Sequence, residues 1–206
     1  MNELLPNNKT ICIILSGGLS TRMKTHKALL RFSSNENFLQ HITNVYRNAG
    51  INRVIVVKNY GIEFKTDELV NRDVIIVENY FPERGRLYSL QLGLSTSPDA
   101  QYCFIQNIDN PFITEDLINS LYNVRDFADY ISPEFNNKGG HPILITRRVI
   151  KKISLLTGYR NTLNEILLMF SRYKIITDDP NCLLNINYPS DYEKYFSNTS
   201  EINPGS

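Results

Sequence analysis

The chain has 206 residues, enough for one α/β domain with a full hydrophobic core and too few for two comfortable ones. Its 22 Lys and Arg balance 21 Asp and Glu to a formal net charge of +1, which argues against nucleic acid or an anionic membrane as a partner. The three cysteines are scattered and odd in number, which argues against a disulfide framework. The sequence has no apolar run of membrane-spanning length and no signal-peptide pattern at the N-terminus, so we expect a cytoplasmic protein.

Apolar, β-branched runs alternate with amphipathic segments along the first half of the chain. In order, the pattern predicts strands over 11–15, 53–58, 74–77 and 102–106. Between and after them it predicts helices over 38–48, around 69–70, over 87–94 and, capped by Thr114, over 115–121. This rhythm is typical of a mostly parallel sheet with helices on both faces.

The second half is less regular. Short strands are predicted over 129–131, 142–145 and 174–177, with helices over 147–156, 161–173 and 191–196, the last capped by Ser190. We expect a single domain over residues 1–196 and a flexible tail over 197–206.

The turn after the first strand is a candidate phosphate site. Gly17 and Gly18 allow the backbone N–H groups to approach a ligand closely, and Arg22 and Lys27 add positive charge. The spacing is neither the dinucleotide fingerprint nor the P-loop, so an ordinary turn with solvated cations is the alternative. The residues expected to contact a nucleotide here are Leu15, Ser16, Gly17, Gly18, Ser20, Arg22 and Lys27.

Two further segments should meet this turn, because ligands of parallel α/β sheets bind at the carboxyl ends of the strands. Gly85 precedes a helix that carries Ser89 in its first turn, where the N-terminus could approach a nucleotide. Asp109 follows a buried strand and could hold a metal, although an aspartate before Asn110-Pro111 is also a common turn former.

Five segments in the same order resemble the nucleotidyltransferases related to the molybdenum-cofactor enzymes, the MobA and MocA-like group. The resemblance covers nearly the whole chain, from Ile11 to about Tyr195. The segments are the loop L-S-G-G-x-S-x-R-M-x-x-x-K-A-L-L, the helix start at 85–94, D-x-P-F at 109–112, G-H-P at 140–142 and N-x-N-x-P at 185–189. This resemblance implies a three-layer, Rossmann-like α/β fold of the GT-A type.

The resemblance also implies roles for individual residues. Arg22, Lys27 and Asp109 would be catalytic, and Asp109 and Asn187 would bind Mg²⁺, the one cofactor expected. The segment Gly140, His141 and Pro142 would contact the acceptor substrate, although a lone histidine before a strand is more often structural. The remaining histidines, His26 and His41, are expected at the surface.

Three departures from the family pattern concern Lys24, Tyr88 and Gly17. Lys24 stands where the family has glycine, and Tyr88 replaces a serine. Gly17 resembles the MobA-like branch of the family, which uses guanine nucleotides, whereas the G-H-P segment resembles the branch that uses cytosine nucleotides. The sequence therefore does not decide between CTP and GTP as the substrate.

The resulting expectation is transfer of a nucleoside monophosphate from CTP or GTP to a phosphorylated small molecule, with release of pyrophosphate. Molybdopterin is the first choice of acceptor. One alternative is the same reaction on a sugar phosphate or another phosphorylated compound. A second alternative is a nucleotide-binding module without catalytic activity. The presence of Arg22, Lys27 and Asp109 together argues against this alternative. No oligomeric state is predicted.

Overall fold

The computed structural model describes residues 9–17, 26–62, 74–158 and 161–196. Several sequence-based expectations fall outside these ranges: the helix around 69–70, the tail over 197–206, and Gly18, Ser20, Arg22 and Lys24 of the glycine loop.

Four parallel strands form one half of the sheet. They are β1 (Thr10–Ser16), β2 (Arg53–Asn59), β3 (Val74–Asn79) and β4 (Tyr102–Asn107), in the spatial order β3-β2-β1-β4. β1 is the central member, with Leu15 opposite Val57 of β2 and Asn107 of β4. The carboxyl ends of all four strands therefore lie along one edge of the sheet.

The other half of the sheet is mixed. It comprises β5 (Tyr130–Phe135), β6 (Lys138–Gly139), β7 (Ile143–Thr146) and β8 (Arg172–Ile176). β7 runs antiparallel to β4 and to β5, β6 is antiparallel to β5, and β8 pairs with β5 in parallel. The eight described strands thus form one sheet whose parallel half agrees with expectation and whose second half reverses direction at β7.

Six helices connect or flank the described strands. Their bounds are α1 (Phe38–Asn48), α2 (Gly85–Ser95), α3 (Glu115–Asn123), α4 (Arg147–Ser154), α5 (Leu163–Leu167) and α6 (Pro189–Phe196). The described part of the chain also contains three short 3₁₀ turns, over Lys27–Leu29, Pro82–Arg84 and Pro180–Leu183. None of the helices within the described ranges is both long and apolar enough to cross a membrane.

The side chains of β1 alternate between the two faces of the sheet, and the hydrophobic core accordingly has two layers. Cys12 and Ile14 pack on the face covered by α1, α3 and α6, whereas Ile11 and Ile13 pack on the face covered by α2, α4 and α5. Because successive side chains of a strand point to opposite faces, one buried strand supports helices on both sides. The expected three-layer α/β architecture is confirmed.

The helix predicted over 161–173 is wrong in extent. A capping box at Thr162 starts α5, but the helix ends at Leu167 and Arg172 already belongs to β8. There the Arg172 guanidinium bonds the carboxylate of the buried Glu134 at 3.1 Å, and a buried carboxylate requires such a partner. A second, smaller error concerns α6, which begins at Pro189 rather than after a Ser190 cap, since proline suits the first helical position.

Candidate functional site

Three residues from distant parts of the chain meet at the carboxyl edge of the sheet. The Lys27 ammonium lies 3.3 Å from Asp109 Oδ2 and donates a hydrogen bond to Asn187 Oδ1 at 2.8 Å. Only 12% of the Lys27 side chain and 27% of the Asp109 side chain are exposed, so this ion pair is partly shielded from water. The sequence-based expectation that these residues share one site agrees with this geometry.

Lys27 is positioned by the short 3₁₀ turn that it begins, and His26 caps that turn. His26 Nε2 lies 3.2 Å from the carbonyl oxygen of Ser16 at the end of β1, and Nδ1 accepts a bond from the Ala28 N–H at 3.4 Å. Burial lowers the pKa of His26, which suits a neutral ring bonded in this way. His26 is therefore a structural residue of the site and not the surface residue that we expected.

His41 is also misassigned by the sequence. Its ring stacks on Phe32 with 3.5 Å between ring centroids and approaches the Glu36 carboxylate at 3.4 Å. Burial lowers the pKa of His41 as well. His41 therefore belongs to the packing of α1 and has no part in the cluster around Lys27.

Asn187 and Asp109 are held side by side by the backbone. The Ile186 N–H donates to the carbonyl oxygen of Asp109 at 2.7 Å, which brings the N-x-N-x-P segment against the turn after β4. The Asp191 carboxylate, in the first turn of α6, accepts bonds from the N–H groups of Asn187 and Tyr188 at 2.8 Å each. These contacts leave the Asn187 side-chain oxygen free to face Lys27.

A cavity of about 300 Å³ opens beside this cluster. Six of the residues expected to bind nucleotide or metal line it, namely Leu15, Gly17, Lys27, Gly85, Ser89 and Asp109. Ser16 does not line the cavity; it is fully buried, and its carbonyl oxygen faces His26. Arg86, next to Gly85, and four residues that the sequence analysis missed complete the lining; the four are Asn59, Pro82, Asn107 and Ile108.

Gly17 sits where no side chain fits. The Asn59 amide donates to the carbonyl oxygen of Gly17 at 2.6 Å, and a Cβ at position 17 would stand 2.8 Å from Asn59 Oδ1. At the other side of the cavity, Gly85 begins α2 with φ +82°, a left-handed conformation that glycine adopts without strain. Glycine thus preserves the Asn59 contact at position 17 and permits the left-handed backbone at position 85.

Two of the missed lining residues, Asn59 and Asn107, belong to a larger set, because β2, β3 and β4 each end in an asparagine. These strand-end asparagines are Asn59, Asn79 and Asn107, and all three are buried. Asn79 donates to the Ser89 hydroxyl at 3.0 Å and thereby fixes Ser89, which sequence analysis placed near the nucleotide. A scan for amides at the ends of buried strands would have found this set.

A second cavity, of about 500 Å³, lies next to the first and shares Gly85 and Arg86 with it. His141 lines this second cavity, whereas Gly140 and Pro142 are buried and line neither. A Cβ on Gly140 would meet the carbonyl oxygen of Cys182 at 2.7 Å, so this glycine is required for packing. Of the three predicted acceptor-side residues, only His141 faces a cavity.

His141 is a neutral residue in this setting. Burial, together with the nearby Arg86 guanidinium, lowers the pKa of His141 to about 4. Its Nε2 lies 3.1 Å from Asn107 Nδ2, and Asn107 Oδ1 in turn accepts a bond from Arg86 at 2.6 Å. A continuous chain of polar contacts thus joins the two cavities.

The donor set at Asp109 and Asn187 fits a hard divalent cation such as Mg²⁺. A carboxylate oxygen and an amide oxygen converge on one ammonium, and Mg²⁺ takes oxygen ligands of this kind together with phosphate oxygens and water. Within the described ranges, no group of three acidic, histidine or cysteine side chains could hold a metal without such help. With Asp109 and Asn187 as protein ligands, phosphate oxygens and water would fill the remaining coordination positions of such a cation.

Comparison with known proteins identifies relatives of the same kind. A molybdenum cofactor guanylyltransferase of Campylobacter jejuni is 25% identical over 210 residues, covering 92% of this chain and 97% of that protein. A probable molybdenum cofactor guanylyltransferase of Clostridium perfringens is 26% identical over 131 residues, or 63% of this chain. The alignment spans only 62% of the length of the Clostridium perfringens protein.

A solved structure supports the fold. A nucleotidyl transferase from Methanothermobacter thermautotroptrophicus superposes with a TM-score of 0.77 at 19% identity, covering 96% of this chain and 100% of that one. This likeness confirms the Rossmann-like fold of the GT-A type.

A family model covers most of the chain, including most of the site. The model of the MobA-like NTP transferase domain matches residues 12–169, which include the glycine turn, Lys27, Asp109 and His141. The chain therefore belongs to the MobA-like NTP transferase domain family.

Proposed function

We propose that this protein transfers a nucleoside monophosphate from CTP or GTP to a phosphorylated small molecule, with release of pyrophosphate. The observation that carries the proposal is the Lys27 ammonium, which lies between Asp109 and Asn187 beside a cavity of about 300 Å³. Molybdopterin is the first acceptor to test, because the relatives from Campylobacter jejuni and Clostridium perfringens carry the name molybdenum cofactor guanylyltransferase.

Lys27 supplies charge where the reaction needs it. In nucleotidyl transfer an oxygen of the acceptor phosphate forms a bond to the α-phosphorus, and the bond between the α-phosphorus and its bridging oxygen to the β-phosphate breaks. Negative charge grows on the departing pyrophosphate. A partly buried, preorganised ammonium stabilises that charge more than a solvated one does. Arg22, outside the described ranges, is proposed for the same task.

Asp109 and Asn187 are the residues that would hold Mg²⁺. When bound, the cation would neutralise phosphate charge and keep the α-phosphate near the attacking oxygen. The Ile186–Asp109 backbone bond and the Asp191 contacts fix the two backbone segments, and Lys27 bonds the side-chain oxygen of each residue. The chain itself thus contributes the alignment of two oxygen donors with Lys27.

The second cavity is proposed for the acceptor. It adjoins the first cavity and shares the Arg86 side chain with it, so a phosphate placed there lies next to the triphosphate site. An ionised phosphate is already a nucleophile and needs no general base. This agrees with a neutral His141, whose pKa of about 4 makes it a hydrogen-bonding residue at pH 7 and not an additional cation.

Pyrophosphate release separates the candidate functions. The four nucleoside triphosphates are tested with Mg²⁺ in turn, each with molybdopterin, with a sugar phosphate, and alone. Release that requires molybdopterin and one triphosphate supports the proposal. Release with a different phosphorylated acceptor, and not with molybdopterin, supports the same nucleotidyl transfer to that other acceptor. Triphosphate binding by calorimetry without any turnover supports a binding module and overturns the proposal.

A further inference from the structure

We propose that Asn107 is a positioning residue that holds Arg86 and His141 at the wall between the two cavities and fixes His141 in the tautomer with hydrogen on Nδ1. The inference rests on the proposed function only where it assigns the two cavities to the triphosphate and the acceptor. The hydrogen-bond geometry that carries it is independent of the reaction.

The order of donors and acceptors along the chain of contacts is determined by chemistry. Arg86 Nη2 donates to Asn107 Oδ1 at 2.6 Å, and a guanidinium has donors but no acceptor. The amide oxygen must therefore face Arg86, which leaves the amide nitrogen facing His141 Nε2 at 3.1 Å. An amide nitrogen can only donate, so Nε2 must accept and carries no hydrogen.

Asn107 also provides the only side-chain hydrogen bond that the described residues make to the imidazole. Nδ1 is buried and has no hydrogen-bond partner within the described ranges. A neutral ring with an unprotonated Nε2 carries its hydrogen on Nδ1. Burial and Arg86 depress the pKa of His141, which supports this neutral form. Without Asn107, no described polar contact would set either the tautomer or the orientation of the ring.

The same amide determines where Arg86 lies. Arg86 is an exposed residue that lines both cavities, whereas Asn107 is buried and lines the first and His141 lines the second. The charge-assisted bond of 2.6 Å fixes one end of an otherwise flexible side chain. One buried amide thus aligns a cation shared by both cavities with a neutral ring on the acceptor side.

Nitrogen NMR of the ligand-free protein tests the tautomer directly. The chain has three histidines, so His141 is assigned by comparison with a His141→Gln variant, and ¹⁵N–¹H correlation at pH 7 shows which ring nitrogen carries hydrogen. We expect a protonated Nδ1 and an unprotonated Nε2 in the wild-type protein. The opposite pattern in the wild type overturns the proposal.

Two variants test whether Asn107 sets this state. Asn107→Leu, of similar shape without the amide, should convert His141 to a mixture of tautomers. Arg86→Met removes the donor that orients the Asn107 amide and changes no residue that bonds the His141 ring. The amide can then rotate and present either its oxygen or its nitrogen to Nε2, so His141 should again populate both tautomers. Asn79→Leu, which removes another buried strand-end amide, should leave the His141 signals as in the wild type.

An unchanged Nδ1–H signature in Arg86→Met overturns the proposal even if Asn107→Leu does not fold. In turnover, loss of one charge-assisted bond predicts a rise of about tenfold in KM for the acceptor in Asn107→Leu. If the NMR results hold and no acceptor supports turnover, the proposed function fails while the role of Asn107 stands.

Discussion

The Lys27 ammonium donates a hydrogen bond to Asn187 Oδ1 at 2.8 Å, although 160 positions separate the two residues in the chain. The same ammonium lies 3.3 Å from the Asp109 carboxylate. One cation is thus shared by a charged and a neutral oxygen, and all three atoms lie at the carboxyl ends of β1 and β4. A polyphosphate with a divalent cation would match this distribution of charge, because the divalent cation would bind the two oxygens and the phosphate would bind the ammonium.

Lys27→Ala should lower kcat by about a hundredfold or more, as loss of one preorganised electrostatic group typically does. The physical reason is that no other described side chain places a cation between Asp109 and Asn187. Steady-state pyrophosphate release measures the effect. Lys152→Ala, an exposed lysine on α4, is the matched control and should keep wild-type turnover. Turnover of Lys27→Ala within a fewfold of wild type would show that the cavity does not hold the reacting phosphates.

Asp109→Ala should remove both turnover and the dependence on Mg²⁺ while the protein stays folded. The described partner of the carboxylate is Lys27, and the backbone bond from Ile186 does not need the Asp109 side chain. Calorimetric titration of Mg²⁺ with a non-hydrolysable triphosphate measures metal binding, and circular dichroism measures folding. Asp178→Asn, at an exposed position, controls for loss of a negative charge. An unfolded Asp109→Ala would favour the turn-forming role that sequence alone also allows.

Gly17→Ala should weaken nucleoside triphosphate binding by about tenfold, because overpacking of this kind costs on the order of 1–3 kcal/mol. The added Cβ would stand 2.8 Å from Asn59 Oδ1, so Asn59 must move and lose its bond to the Gly17 carbonyl oxygen. Fluorescence titration with a labelled triphosphate measures the change. Gly139 lines neither cavity, and there the added Cβ would stand 3.0 Å from Arg172 Nη2, so Gly139→Ala should bind the triphosphate as the wild type does. Equal affinities in all three proteins would contradict a close approach of ligand to Gly17.

The parallel half of the fold could be predicted from sequence because its signals are local. Buried strands of consecutive apolar residues, the Thr114 cap and the glycine after α1 each act within a few residues. The meeting of Lys27 and Asp109 could also be predicted, since parallel strands bring their carboxyl ends to one edge. The same rule placed Gly85 and Ser89 correctly beside the cavity.

What the sequence could not predict depends on long-range pairing. The apolar spacing of Leu163, Ile166 and Leu167 continues at Phe170 and predicts a longer helix. Arg172 instead belongs to β8, where it bonds the buried Glu134 carboxylate 38 positions away. His26 carried no pattern that distinguishes a cap from a surface side chain. The strand at β7 is predicted from its local pattern, but its antiparallel pairing with β4, which brings His141 beside Asn107, follows from no local signal.

Gly140→Ala should destabilise the protein by about 1–3 kcal/mol, as overpacking does, without a specific effect on acceptor binding. The added Cβ would lie 2.7 Å from the Cys182 carbonyl oxygen and 2.8 Å from its sulfur, and Gly140 lines neither cavity. Denaturant unfolding measures the free energy, and the KM for the acceptor is compared below the unfolding transition. A variant with unchanged stability and a raised KM for the acceptor would contradict this packing role. It would support the contact between Gly140 and the acceptor that the family resemblance implies.

The free energy of unfolding should fall as the pH drops from 7 towards 4, and His141 should account for a definite part of the loss. Burial first, and the Arg86 charge second, lower the pKa of His141 to about 4 against 6.5 for an exposed histidine, while Asp109 acts in the opposite direction. Between these values the unfolded chain binds more protons than the folded one, so stability rises with pH in that window and is lost as pH falls through it. From those two pKa values the His141 contribution to the loss at pH 5 is about 2 kcal/mol.

His26 and His41 add to the same trend because burial lowers their pKa values too, so the His141 part must be isolated as a difference. Urea unfolding of the wild type and of His141→Gln at pH 7 and pH 5 provides that difference, since the glutamine does not titrate. The variant should lose less stability than the wild type between the two pH values. Parallel losses in both proteins would mean that the imidazole of His141 is already solvated and titrates normally, which the burial of its Nδ1 and its bond to Asn107 contradict.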